Sequence, residues 1–247
     1  MKASTVIDFG CGSQPLLINS NRGHDNVITS FAFRRQGKNF LFREAEEKDV
    51  KSIVRLERKC WGEAGATEEM IISRIKVFRE GSWLALVHDK VGGDKLVGYG
   101  VYEYVNEIDD KNFSWFGITD NGLLVKSHQP KGDWLYGVNL SVVPEAAEMG
   151  VSENFISCLT IKELIFGGRK GLYLGSRMPG FASYCQQNGD LDANVYVQQR
   201  THGHLIDPQL SIYEYLGFKV VRVLPNYFTD PESRNNGVLV LKTNHDF

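Results

Sequence analysis

The chain has 247 residues, of which 42% are hydrophobic and 23% charged. That balance excludes wholesale disorder, and the length suffices for one large domain or two small ones around a sizeable core. A formal net charge of −2 speaks against a strongly basic face, so nucleic acid is not an expected partner.

Cys11, Cys60, Cys158 and Cys185 lie far apart and form no C-x-x-C pair, which argues against a disulfide framework or a structural zinc site. No apolar run approaches the ~18 residues that span a bilayer, and no basic start followed by an apolar stretch marks a secretory leader. The expectation is a reduced, cytoplasmic setting with no membrane partner.

Residues 1–39 read as an N-terminal extension, rich in Asn, Gly, Ser and Arg near residues 19–23, with a hairpin expected over 27–33. Within it, Val6-Ile7-Asp8-Phe9-Gly10-Cys11-Gly12-Ser13 looks like the first motif of S-adenosylmethionine methyltransferases. That motif works only at the head of an α/β sheet. Too few residues follow it before a different pattern begins, so it reads as a chance match or a remnant.

Residues 40–247 are expected to form the main domain. Alternation over 40–44 predicts a strand. Asp49 opens a helix with Val50, Ile53, Val54 and Cys60 on one stripe, broken by Gly62 and Gly65. Thr67 caps a second helix carrying Met70, Ile71, Ile75 and Phe78, and Gly81 ends it. Strands follow over 83–88 and 96–105, joined by a turn at 91–94. Residues 106–133 form a polar connection anchored by Trp115. A long strand over 134–143 ends at Pro144, a helix spans 152–166, and 171–175 is the next strand. Residues 177–207 read as a long loop insertion. Asp207-Pro208 starts a short helix through Tyr215, and strands over 219–224 and 237–242 close the chain.

Chemistry concentrates in the strand–loop–helix from 134 to 166. Free N–H groups at a helix start, reinforced by the helix dipole, bind phosphate. His202, His204 and Asp207 have the spacing of a weak metal motif, but a solvated loop explains them better.

The order of elements resembles the GNAT superfamily of acyl-CoA-dependent N-acyltransferases, over residues 40–242. Arg43-Glu44-Ala45 with Asp49 resembles its opening strand and helix. Leu96-Val97-Gly98, Val143-Pro144-Glu145 and Tyr213-Glu214-Tyr215-Leu216-Gly217-Phe218 resemble its later motifs. Further segments are similar to the GNAT-type domains fused to carbon–nitrogen hydrolases: Ile118-Thr119-Asp120-Asn121-Gly122, Trp134-Leu135-Tyr136-Gly137 and Ser176-Arg177-Met178-Pro179-Gly180-Phe181. Cys60-Trp61-Gly62-Glu63 resembles the GNAT-like loading domains of polyketide synthases. With no hydrolase segment following, a free-standing version is expected.

The resemblance implies an α+β fold, a central mixed and mostly antiparallel sheet with helices on both faces. It implies acetyl-CoA or a longer acyl-CoA as co-substrate, without a metal. The diphosphate would lie over the backbone of Glu148, Met149, Gly150, Val151 and Ser152. The pantetheine arm and thioester would run along Asn139, Leu140, Val142 and Val143, where the strand over 134–143 splays from that over 171–175. Against the family's Q/R-x-x-G-x-G/A signature, Ala147 replaces the leading polar residue and Ser152 the last small one. Tyr213 would be the general acid for the leaving thiolate, since a Tyr hydroxyl keeps its proton at neutral pH. A His would be expected near there in the polyketide loading branch, so Tyr213 favours amine acylation. Glu103 is the candidate base and His128 the second. Tyr102, Tyr104, Trp115 and Tyr227 are candidates to line an acceptor pocket. The acceptor would be a small-molecule or lysine-like amine. The rival expectations are a non-catalytic module binding an acyl thioester or carrier protein, and acyl transfer to a carrier thiol.

Overall fold

Phe31 and Phe33 on one strand face the same core as Phe40 and Phe42 on the next, and all four are buried. The turn between them explains the match. Gln36 (φ 50°) and Gly37 (φ 76°) both take left-handed backbone, the signature of a two-residue hairpin whose twist suits its strands. Strand β3 is therefore Asn26–Arg35 and β4 is Lys38–Glu44, with Phe33 opposite Phe40. The hairpin expected over 27–33 is instead one continuous strand. The computed structural model describes residues 2–7, 16–22, 26–89, 93–109 and 113–246.

Ahead of β3, strand β1 (Lys2–Ile7) pairs antiparallel with β2 (Leu16–Arg22), and β2 with β3. A methyltransferase-like start would need a parallel strand–helix–strand unit, whereas β1 and β2 are antiparallel. The Gly-rich turn of that motif lies outside the described residues.

Helices α1 (Val50–Trp61) and α2 (Glu68–Val77) follow, the second capped by Thr67, whose hydroxyl accepts from Met70 N–H. Strands β5 (Ser82–Asp89) and β6 (Gly93–Val105) come next, then a short helix α3 (Trp115–Ile118) and β7 (Trp134–Val142). One turn of helix, α4 (Pro144–Ala147), precedes α5 (Val151–Thr160), which continues as a π-helical turn over Ile161–Phe166. Strand β8 is Gly171–Ser176.

The insertion expected as loop is largely structured. It holds α6 (Phe181–Asn188), α7 (Ala193–Tyr196) and a small hairpin, β9 (Arg200–Thr201) with β10 (His204–Leu205). Short amphipathic turns rich in Asn, Gln and Gly carry too weak a period to be seen in sequence. Helix α8 (Pro208–Tyr215) and strands β11 (Lys219–Leu224) and β12 (Gly237–Thr243) complete the chain.

By its contacts the chain divides into two compact units. The first comprises residues 1–102, 123–125 and 139–167, and the second 103–122, 126–138 and 168–247. This division differs from the expected boundary at residue 39/40, and both β6 and β7 run from one unit into the other.

In the first unit β1 to β6 pair in sequence order, each antiparallel to the next. Ile53 of α1 and Ile71 of α2 are buried, and the Phe155 ring of α5 packs 5.1 Å from that of Phe42 on β4. Gly100 of β6 lets the Phe155 ring approach, because a Cβ there would overlap the ring. Tyr102 is buried and donates to Glu163 (2.5 Å), which also pairs with Lys162. In the second unit, Trp134–Gly137 of β7 pairs parallel with Gly171–Leu174 of β8. A parallel pair needs a long crossover, and the chain through α5 supplies it. Strand β12 pairs antiparallel with both β8 and β11. The result is a mixed, mostly antiparallel sheet flanked by helices, the expected α+β class.

Candidate functional site

The strand–loop–helix of the first unit is built by Pro144 and Gly150. Val143 is extended and Pro144 takes the first helical position, where its missing N–H costs nothing. Gly150 (φ 71°) turns left-handed between α4 and α5, a conformation that favours glycine. Glu148 is exposed, while Met149 and Val151 are buried.

The backbone donors are distributed differently from the expectation. Glu148 N–H donates to Pro144 O (3.0 Å), Met149 N–H to Ala146 O (3.1 Å) and Gly150 N–H to Ala147 O (2.7 Å). These three are committed within the one-turn helix that the sequence did not announce. The intrahelical ladder of α5 begins with Asn154 N–H on Gly150 O. Among the described residues, the N–H groups of Val151, Ser152 and Glu153 have no acceptor, so the available donors lie one step further along than Glu148–Gly150.

Strand β7 shows a similar division. Val143 N–H donates to Val97 O (2.9 Å) and is committed to β6. The alternation of an antiparallel ladder then turns the N–H groups of Leu140 and Val142 to the opposite edge. Asn139 commits its amide N–H groups within the protein. Its Nδ2 donates to Glu57 (2.9 Å) and to Ser141 Oγ (3.2 Å). Glu57, buried on α1, also accepts from Ser141 Oγ (2.5 Å) and Ala66 N–H (2.9 Å), and Trp61 Nε1 donates to Ser141 (2.7 Å). Sequence reasoning missed this carboxylate because Glu57 sits among the charged residues of an amphipathic helix.

Lys59 pairs with Glu145 of the loop (3.5 Å), and a second cation stands at Gly150. A Cβ on Gly150 would overlap Nη1 of Arg35, at the end of β3, and would lie 2.8 Å from its Cζ. No motif announces Arg35, which is 115 residues from Gly150 in the chain and is brought there by the β3–β4 hairpin.

The second unit carries Tyr213 and Glu103. Tyr213 lies on α8, with its ring 5.6 Å from that of Phe218. Burial of its hydroxyl pushes its pKa up to about 12, while the Gln209 side chain pulls it down. Glu103 on β6 is fully buried and accepts from Ser127 Oγ (2.7 Å). His128 Nδ1 accepts from Tyr104 N–H (3.3 Å), and its ring packs on Tyr104. Of the aromatic candidates, Tyr102 belongs to the first unit's core, and Trp115 donates to Val138 O (2.8 Å). Tyr227 is buried and shares a hydroxyl–hydroxyl hydrogen bond with Tyr136. Burial raises the pKa of both. Gly175 leaves room for this pair, since a Cβ there would overlap Tyr227 Oη and lie 2.8 Å from Tyr136 Oη.

His202 and His204 are exposed, and Asp207 is a helix cap. Its carboxylate accepts from Gln209 and Leu210 N–H as well as Gly180 N–H and Tyr196 Oη. Among the described residues no cluster of His, Cys, Asp and Glu is placed to hold a metal ion, and no helix is long and apolar enough to cross a membrane.

No protein-family model matches the chain. The Bacillus subtilis protein described as "Uncharacterized N-acetyltransferase YkwB" is 30% identical over 223 residues, covering 87% of this chain and 94% of that protein. "Probable hydrolase YhcX" of the same organism is 29% identical over 204 residues, covering 78% of this chain. The match takes in only 36% of YhcX. Among solved structures, the loading GNATL domain of CurA from Lyngbya majuscula superposes with a TM-score of 0.69 at 21% identity, over 84% of this chain and 99% of that one. The GphF GNAT-like decarboxylase, in complex with isobutyryl-CoA, gives 0.68 at 19% identity, over 82% and 98%. These structures share the fold, and the long match to YkwB carries the kinship: the chain belongs to the GNAT superfamily of acyl-CoA-dependent N-acyltransferases.

Proposed function

We infer that the protein transfers an acyl group, acetyl in the first instance, from acyl-CoA to an amine of a small molecule or a lysine-like group. The observation that carries this reading is the start of α5, where three successive N–H groups have no acceptor among the described residues. Such a helix start attracts the diphosphate of a CoA thioester. The GphF neighbour, a CoA-thioester complex, supports the same assignment.

Val151, Ser152 and Glu153 N–H hold the diphosphate, and Leu140 and Val142 N–H polarise the thioester carbonyl. Tyr213 donates its proton to the thiolate as the carbon–sulfur bond breaks. Glu103 takes the proton that the amine loses. Because Glu103 is buried behind Ser127, that proton reaches it through the Ser127 hydroxyl or a water. No metal is needed for these steps.

Calorimetry with acetyl-CoA and CoA tests the reading. Saturable heat and a raised melting temperature are expected. Their absence favours a non-catalytic module, which the loss of the loop cation at Ala147 would fit. Binding followed by label transfer to a carrier thiol, with none to an amine panel, favours the thiol reading.

A further inference from the structure

The loop that should receive a diphosphate carries no cation of its own. It reads Pro144-Glu145-Ala146-Ala147-Glu148-Met149-Gly150 and adds two carboxylates. A helix start alone is equivalent to about half a positive charge. That is little against a diphosphate, and the exposed Glu148 offsets it, while Glu145 is paired with Lys59 (3.5 Å).

The guanidinium of Arg35 stands where this charge is missing. It lies against Gly150, close enough that any side chain there would collide with it. Its position is fixed rather than incidental. Gln36 and Gly37 close the hairpin in two residues, and Arg35 pairs directly with Lys38. Arg35 is half-buried, and among the described residues it makes no hydrogen bond or ion pair. Glu148 is exposed and Glu153 lies in the first turn of α5, yet neither is within ion-pair distance of it. A guanidinium set against the positive end of a helix is repelled there unless an anion lies between them. The same anion would satisfy the Val151, Ser152 and Glu153 N–H groups and the planar donors of Arg35 together. A phosphate matches that donor set, because guanidinium binds its oxygens two at a time.

We propose that Arg35 is the phosphate-gripping residue of this chain, supplying to the acyl-CoA diphosphate the cation that its own loop lacks at Ala147. The inference rests on the acyl-CoA reading above and adds a specificity-determining residue to it. It also gives the strand ahead of residue 40 a part in binding. Gly150 acquires a second reason to be glycine, since a Cβ would displace the guanidinium as well as strain the backbone.

The test compares CoA with pantetheine, which keeps the thiol arm and lacks the diphosphate together with the 3′-phosphoadenosine. Calorimetry on the full chain uses wild type, Arg35→Ala, Arg35→Lys and the double variant Arg35→Ala with Ala147→Arg. Arg35→Ala is expected to weaken CoA about 10–100-fold, the usual worth of a charge-assisted contact, and to leave pantetheine unchanged. Arg35→Lys should recover part of the loss, since a lysine keeps the charge without the fork. The double variant should recover more, because the cation returns to the loop. Wild-type affinity for CoA in Arg35→Ala overturns the proposal while leaving the acyl-CoA reading intact. An equal loss for CoA and pantetheine also overturns it, because the residue would then act through the fold. A wild-type chain that binds neither ligand overturns the acyl-CoA reading itself, and Arg35 falls with it.

Discussion

Ser141 Oγ donates to Glu57 Oε1 at 2.5 Å, joining β7 to α1 through a carboxylate that is 1% exposed. Asn139, Ala66 and, through Ser141, Trp61 converge on the same group. A buried charge is tolerated only when donors surround it, and this one has three. Glu57 thereby ties α1 to the segment of β7 that carries Leu140 and Val142.

Glu57→Ala should therefore cost at least about 2 kcal/mol, because it strands several buried donors at once. Ser141→Ala removes one contact and should cost less, about 1 kcal/mol. Urea unfolding of both variants checks this order. Equal stability of Glu57→Ala and wild type would show that the donors find water instead.

Tyr213→Phe keeps the ring and removes only the proton donor. Turnover with an identified acceptor should fall about 10²–10⁴-fold, with little change in acyl-CoA affinity. Tyr215→Phe, at a side chain 74% exposed, should have almost no effect. Single-turnover rates and binding heats separate these outcomes. A sharp drop in melting temperature for Tyr213→Phe alone, without a kinetic defect, would mark the residue as structural.

The same tyrosine gives a pH prediction. Its pKa is near 10 in an unfolded chain and about 12 when folded, because burial disfavours the phenolate. Between those values the unfolded chain ionises and the folded one does not. Stability is therefore full below pH 10 and falls as pH rises from 10 to 12. Tyr136, Tyr196 and Tyr227, also raised by burial, act in the same direction. Denaturant midpoints across pH 9–12 check the slope, and Tyr213→Phe should make it shallower.

A chain that begins at Lys38 tests the boundary expected at residue 39/40. Such a chain lacks β3 and with it Phe31 and Phe33, which pack on Trp83, Phe40 and Phe42. Loss of a buried Phe is worth about 3–5 kcal/mol, and β4 would become an open edge. Aggregation or a much lower melting temperature is expected. A chain beginning at Asn26 keeps the strand and should melt close to the full chain. An unaltered melting temperature for the Lys38 chain would restore the reading of residues 1–39 as an extension outside the main domain.

Much of the fold was legible because local periodicity and punctuation agree with it. Thr67, Pro144, Asp207 and Gly217 each start or stop an element for reasons contained in a few residues. The helix start at Val151 was legible in the same way, from Pro144, Gly150 and the apolar stripe that follows. Short-range pattern failed where an element is brief or polar, as in α6, α7 and the one turn of α4. That one turn mattered, since it consumes the Glu148, Met149 and Gly150 donors that the sequence left available.

The sequence by itself determined the longer strands and helices after residue 40, the superfamily resemblance and the place of the turn between β7 and α5. These follow from backbone preferences and from apolar spacing along one stretch of chain. Only the tertiary structure decided that Arg35 meets Gly150, that Glu57 gathers Asn139 and Ser141, and that Tyr227 is occupied with Tyr136. Each of these joins residues more than 80 positions apart. Nothing in a local pattern encodes such a meeting, because it depends on which strand pairs with which and on the register of that pairing.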